Sequence, residues 1–183
     1  MRWVWVDRFV KFVSGEEAVA IKNVSLAEPH LHGYMPSYPV MPDSLVLEGM
    51  AQTGGLLLGE TSQFKDPIVL AKVAKVQYHF QARPGDTLTY TARLDSVGPQ
   101  GALIAATSHV GDRLQAEVEL FLAILPTNHK VEQLFDAASF ARLLRLMRIY
   151  EVAQDAEGDP LTFPPDLLAA EQHEVGKNKS QTS

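Results

Sequence analysis

Glu48 is the residue whose type and surroundings point most directly to chemistry. It stands in the run Ser44-Leu45-Val46-Leu47-Glu48-Gly49-Met50-Ala51-Gln52, where most neighbours are apolar or small. An unpaired carboxylate is expensive to bury, so a glutamate in such a place gains partners or has its pKa raised. A carboxyl in an apolar cleft can act as a general acid or base near neutral pH. The plainer reading is a glutamate near a helix start that reaches solvent or caps a loop. Upstream, His30, His32 and Tyr34 occupy alternate positions. In an extended chain alternate side chains share a face, so the three would point the same way. Two histidines two apart suggest a metal, but no third ligand pattern accompanies them, and ordinary loop histidines are the simpler reading. His79, His109, His129 and His173 belong to no partnered motif and read as surface or strand residues.

The elements that must position these residues follow from periodicity and punctuation. Residues 44–60 read as a helix with Asp43 or Ser44 as cap. Its apolar residues occupy almost every side, which places it in a core. Gly49, Gly54 and Gly55 each lower its helix propensity by roughly 1 kcal/mol relative to Ala. Close packing of the helix backbone against a sheet is the simplest compensation. Before it, residues 27–43 hold Pro29, Pro36, Pro39 and Pro42. Proline removes a donor and restricts its predecessor, so this stretch reads as a long, stiffened loop rather than a helix or central strand. Strands are expected at 3–13 and 18–26, forming a hairpin, and at 68–80, 86–97, 101–110 and 113–125. Gly/Pro/Asp turns separate the later ones, so an antiparallel meander is expected. About six strands around one helix is an α+β architecture. Residues 132–152 read as a second helix with Arg142, Arg145 and Arg148 beside its apolar stripe. The division expected is 1–130 as the main domain, 131–152 as a C-terminal helix and 153–183 as an acidic, largely unstructured tail with a short helical turn at 166–172.

Composition excludes several classes. The 183 residues are 46% apolar and 21% charged, which suits one ordinary globular domain. Cysteine is absent, so disulfides, cysteine zinc sites and thiol nucleophiles are excluded. No apolar run approaches the length of a membrane-spanning helix. The N-terminus meets a charge too early for a signal peptide, and a cytoplasmic location is expected. The net charge of −6 sits mainly at residues 151–183, where seven acids face Lys177 and Lys179. That is not the basic footprint of a nucleic-acid binder.

The run from Glu28 to Gln52 resembles the signature of 3-hydroxyacyl-[acyl-carrier-protein] dehydratases, a loop of the form G-H-F-P-G-x-P-V-M-P-G followed by a helix with L-x-E-A-x-A-Q. The chain keeps Gly33, Pro36, Pro39-Val40-Met41-Pro42, Leu47-Glu48 and Met50-Ala51-Gln52. Val6-Asp7-Arg8, Ala20-Ile21-Lys22-Asn23-Val24 and Pro84-Gly85-Asp86 are similar to the family as well, so the resemblance spans about residues 3–125. It implies the hotdog fold, a long helix wrapped by an antiparallel sheet. It also implies a homodimer, or a trimer of dimers, with active sites at the subunit interface. The substrate implied is an acyl chain carried as a thioester on the phosphopantetheine arm of acyl carrier protein, lying in an apolar tunnel. No metal or redox cofactor is implied. Acyl carrier proteins are acidic, so the arginines of the C-terminal helix could form a docking ridge, or merely solvate its outer face.

One departure bears on mechanism. The family's catalytic histidine falls on Tyr34. A phenol titrates near pH 10, whereas an imidazole titrates near 6.5 and can accept a proton at neutral pH. Ser37 and Asp43 also replace family glycines. Three readings follow. The chain is a dehydratase or hydratase in which Glu48 and Tyr34 act with His32 or His30 as base. Alternatively it is a thioesterase in which Glu48 activates water and Tyr34 holds the carbonyl. In the third reading it binds acyl chains or acyl carrier protein without turnover.

Overall fold

The computed structural model describes residues 4–34, 37–125 and 136–180. Strands β1 (Arg8–Val13) and β2 (Glu17–Asn23) form the expected hairpin. Helix α1 (Pro29–Tyr34) and helix α2 (Asp43–Glu60) follow, then strands β3 (Ile68–Tyr78), β4 (Thr87–Gly98), β5 (Gly101–Val110) and β6 (Arg113–Ile124). The chain ends in α3 (Ala137–Leu146), α4 (Ile149–Val152), the two-residue strand β7 (Ala153–Gln154) and α5 (Pro165–Ser180). The sheet runs β3-β6-β5-β4-β2-β1-β7 and is antiparallel except for the β1–β7 pair. This is the α+β, hotdog arrangement expected, with α2 wrapped by the sheet.

Alternation explains the sheet's inner face. Leu88, Tyr90 and Ala92 of β4, Ile104 and Ala106 of β5, and Val118, Leu120 and Leu122 of β6 are buried, at the period of two that a strand imposes. They pack with Val46, Met50, Leu57 and Leu58 of α2 in one core. The helix glycines are there for close approach. A Cβ on Gly49 would lie 2.5 Å from the Tyr90 ring, and one on Gly54 would lie 2.9 Å from Ile104 Cδ1. Gly55 has ordinary space around it, with Leu122 Cδ1 at 3.9 Å, so packing does not account for that third glycine.

Several local expectations are corrected. The proline-rich segment is not loop throughout, because residues 29–34 close into α1. Pro29 takes its first position, where the missing N–H has no helical partner to lose. Helix α2 is capped by neither Asp43 nor Ser44. Pro42, with extended backbone, occupies the cap position, and Asp43 is the first helical residue. The four later strands do not form a simple meander: β3 pairs with β6, not with β4, and lies at the sheet edge.

The C-terminal region departs most. The described part of the expected 132–152 helix breaks at Arg148, whose φ of 57° is left-handed; residues 132–135 lie outside the described ones. The break lets the chain cover the β1 edge. Phe9 N–H donates to the Met147 carbonyl (2.8 Å), Ser14 N–H donates to the Gln154 carbonyl (2.9 Å), and β7 pairs with β1. An uncovered edge strand leaves backbone donors and acceptors unpaired, so this contact is stabilising. The tail is not largely unstructured either. Helix α5 runs to Ser180, well beyond a turn at 166–172, and Leu167 is buried in the common core with Ala141, Leu144, Met147 and Ile149. Arg142 pairs with Glu174 (2.8 Å) and Arg145 with Glu171 (3.0 Å). Exposed pairs of this kind each contribute about 0–1 kcal/mol, so burial of the apolar side chains holds the region more strongly than its ion pairs do.

The Gly49 contact is testable. Gly49→Ala drives a methyl into a fully buried ring and should lower stability by about 1–3 kcal/mol in urea unfolding. An unchanged midpoint would show that the helix does not depend on this close approach.

Candidate active site

Four residues of α2, Glu48, Gln52, Gly55 and Gly59, follow one another at spacings of four, three and four and so form one stripe. This stripe forms one wall of a cavity of about 400 Å³. The opposite walls come from Phe64 in the α2–β3 loop, Ile68 to Leu70 of β3, and Phe140 and Leu167 of the C-terminal region. Its size falls in the usual range for small-molecule sites. The lining is mostly apolar; its polar residues include Glu48 and Gln52 at one end of the stripe and Lys65 and Asp66, next to Phe64, at the other.

Glu48 is exposed in the single chain rather than enclosed, contrary to the burial its neighbours suggested. The reason is its side of the helix. Gly49 and Gly54 face the sheet, while Glu48 lies on the cavity stripe. Its position is nonetheless held. Gln52 Nε2 donates to Glu48 Oε1 at 2.9 Å, and Gln52 Oε1 accepts the Trp5 backbone N–H at 2.9 Å. Gln52 is buried, so its amide links the N-terminal segment to the carboxylate with its own carbonyl satisfied. Sequence reasoning passes over this role. The signal is there as the i, i+4 spacing of Glu48 and Gln52, which makes neighbours on a helix.

Helix α1 separates the other candidates. Its geometry replaces the extended alternation that would have put His30, His32 and Tyr34 on one face. Residues 30 and 34 are one turn apart, whereas position 32 falls on the other side of the helix. His30 is half-buried, its ring edge-on to Trp5 with centroids 4.9 Å apart, and His32 is exposed. The side chain of Tyr34 lies outside the described residues. Burial holds the His30 imidazole below the usual histidine range, outweighing the opposite pull of Glu28. His30 is therefore neutral at pH 7. The start of α1 is fixed by Lys22, a buried amine that contacts Glu28, the Asn23 carbonyl (2.8 Å) and Asp7 (3.6 Å). Among the described residues neither His30 nor His32 lines the cavity beside Glu48. His79 and His173 are exposed, His109 lies in β5, and His129 is outside the described residues. Among the described residues no cluster of three or more His, Asp or Glu side chains could hold a metal ion.

Asp43, at the first turn of α2, has an Oδ1 that is buried without a hydrogen-bond partner. Burial pushes its carboxyl above the usual aspartate range. Tyr78 Oη donates to the Asp43 carbonyl oxygen at 2.9 Å, and burial followed by the Asp43 charge raises that phenol as well. The arginines of α3 do not form a free basic ridge, because Arg142 and Arg145 are paired with α5 glutamates and Arg148 approaches Glu151 at 3.8 Å.

A helix wrapped by an antiparallel sheet, with a tethered carboxylate beside an apolar cavity, defines a hotdog-fold protein. The family model described as the FabA-like domain matches residues 2–119. The chain belongs to that FabA-like family. It is similar to the 3-hydroxyacyl-[acyl-carrier-protein] dehydratase FabZ of Clostridioides difficile, 35% identical over 121 residues, covering 66% of this chain and 85% of the relative. The FabZ of Streptococcus agalactiae is 41% identical over 120 residues, covering 65% and 85%. Among solved structures, a Streptococcus mutans protein bound to acetyl CoA superposes with a TM-score of 0.55 at 16% identity, covering 68% of this chain and 93% of that one. A conserved Pseudomonas aeruginosa protein gives a TM-score of 0.54 at 22% identity, covering 64% and 87%. These two likenesses concern the fold.

The desolvated Asp43 carboxyl predicts a pH dependence. A carboxyl whose pKa is higher folded than unfolded binds more protons in the native state, so its contribution to stability falls as pH rises from about 4 through the raised value. Asp43→Asn should match the parent chain near pH 3 and gain relative to it as pH rises to 7, read as the difference in Tm. A difference that shrinks with rising pH would contradict the desolvation of this group.

Proposed function

We propose that the chain acts on acyl thioesters of acyl carrier protein as a 3-hydroxyacyl dehydratase, giving a trans-2-enoyl thioester. The observation that carries the reading is the Gln52-tethered Glu48 at an apolar cavity, in a chain of the family whose curated relatives are named for this activity. Dehydration takes a proton from C2, breaks the C3–O bond and delivers a proton to the departing hydroxyl, which leaves as water. Glu48 is the acid in this reading. Its carboxyl points to the cavity in which the acyl chain would lie, and the Gln52 amide orients it.

The base would be His32 from the α1 segment of a second copy, because within one chain neither α1 histidine reaches the cavity wall. Its exposure leaves it accessible to a partner. Tyr34, at the family's histidine position, would donate a hydrogen bond to the thioester carbonyl. A homodimer is supported by the edge strand β3, eleven residues long, which leaves Leu70, Val73 and Val76 exposed. An apolar, unpaired edge is the kind of surface that a second strand covers. We place the reaction in the cytoplasm, where acyl-carrier-protein chemistry supplies the substrate; among the described residues no helix is long and apolar enough to cross a membrane.

The test is to incubate the purified protein with a short trans-2-enoyl thioester and follow enoyl absorbance and free thiol together. Loss of absorbance without thiol release is expected, the hydration direction of the same reaction. Glu48→Gln should lower that rate by about 10²–10⁴-fold, the range for a general acid or base, and His32→Ala should do likewise. Thiol release would instead indicate a thioesterase. A silent assay with saturable binding of acyl carrier protein would indicate a non-catalytic module. A wild-type rate in His32→Ala would remove that histidine from the mechanism.

A further inference from the structure

The cavity has one wall that the family match does not contain. Phe140 and Leu167 belong to the region beyond residue 119, yet both line the same cavity as Glu48. The Glu48–Gly59 stripe spans eleven residue steps of α2, about 16 Å along the helix axis. Glu48 marks one end. At the other, Gly59, Phe64 and Phe140 converge, with Lys65 and Asp66 following Phe64 along the lining.

This distal end is built rather than incidental. Gln63 and Phe64 both have left-handed backbone, with φ of 53° and 60°. That conformation is unfavourable for a bulky side chain and persists only where its surroundings hold it. Here it seats the Phe64 ring over Gly59, where a Cβ would lie 2.8 Å from Phe64 Cδ1. The Phe64 and Phe140 rings then meet edge to face, with centroids 5.2 Å apart. Phe140 sits on α3, whose Ala141 and Leu144 are fully buried, and Leu167 is itself buried. The backbone bonds from Phe9 and Ser14 anchor the same region to β1. A wall tied into the core at this many points does not yield easily to a longer ligand.

We propose that the C-terminal region is a length gauge: Phe140 and Leu167, with Phe64, close the far end of the Glu48 cavity and set how long an acyl chain it admits. The inference rests on the acyl-thioester reading and deepens it by naming the specificity-determining residues. The thioester end lies beside Glu48, and the methyl end of the acyl chain abuts the Phe64–Phe140 pair.

The experiment measures binding and so does not depend on turnover. Acyl-pantetheine thioesters from butyryl to palmitoyl, in two-carbon steps, are titrated calorimetrically into the full chain and into Phe140→Ala, Leu167→Ala and Phe140→Trp, with circular dichroism confirming that each is folded. The wild-type profile should show a cut-off length. Each alanine variant should move that cut-off to longer chains, with affinity for the first excluded thioester rising on the order of tenfold, the scale of discrimination for a methylene in an apolar pocket. Phe140→Trp should weaken binding of the longest accepted chain and leave butyryl binding unchanged. Wild-type binding with an identical length profile in the folded variants overturns the gauge while leaving the acyl-thioester reading standing. A wild-type chain that binds no thioester of any length overturns both.

Discussion

The seating of α2 on the sheet governs the rest of the molecule. Gly49 and Gly54 bring the helix backbone against Tyr90 and Ile104 at distances no side chain would permit. Once that side is committed to the sheet, the stripe from Glu48 through Gln52 and Gly55 to Gly59 faces the cavity. A helix is rigid on this scale, so the orientation of one side dictates the other. The propensity lost to those two glycines is offset by dense apolar contact with the sheet, where a cavity or a clash would be felt directly.

Polar groups around this core position the site through local bonds tied to a few long-range ones. Gln52 connects the Trp5 backbone to Glu48, and Lys22 gathers Glu28, Asp7 and the Asn23 carbonyl at the start of α1. A buried amine is tolerated because its charge is met by carboxylates and its donors by oxygens. Asp43 is the counter-case. It lies at the positive end of α2, which favours a carboxylate, yet burial raises its pKa and leaves one oxygen without a partner. Desolvation outweighs the helix terminus there. The negative charge it would bring near the N-terminal N–H groups is thereby disfavoured.

Beyond the family match the chain adds a layer that completes both the sheet and the cavity. It takes up β1 backbone groups through Met147 and Gln154, contributes Leu144 and Ile149 to the core and places Phe140 against Phe64. Its arginines are consumed internally, since Arg142 and Arg145 meet the α5 glutamates and Arg148 approaches Glu151. What reads in sequence as a basic ridge beside an acidic tail is in the folded chain a set of arginines each paired with a tail or neighbouring glutamate, with the acidic excess left over. The cavity is correspondingly a joint product of the family domain and this added layer.

Local pattern made much of this legible. The hairpin, the four long strands and α2 follow from period-two alternation, turn residues and an apolar helical run, all properties of neighbouring residues. Glu48 stood out for the same reason, as a carboxylate among apolar neighbours, and the proline spacing with the Leu47-Glu48 pair carried the family resemblance. What lay beyond the sequence depended on partners far along the chain. Residues 29–34 became helix although proline composition argued for loop, because Pro29 fits a first turn and Glu28 is held by Lys22, which itself reaches Asp7 on the other side of the hairpin. The acidic tail folded because Leu167 reached the core and its glutamates reached arginines 26 and 32 residues away. Gln52 acquired its meaning from Trp5, 47 residues distant. Sequence determined the elements because their stabilisation is local; tertiary structure decided the site because its contacts exist only after distant segments have been brought together.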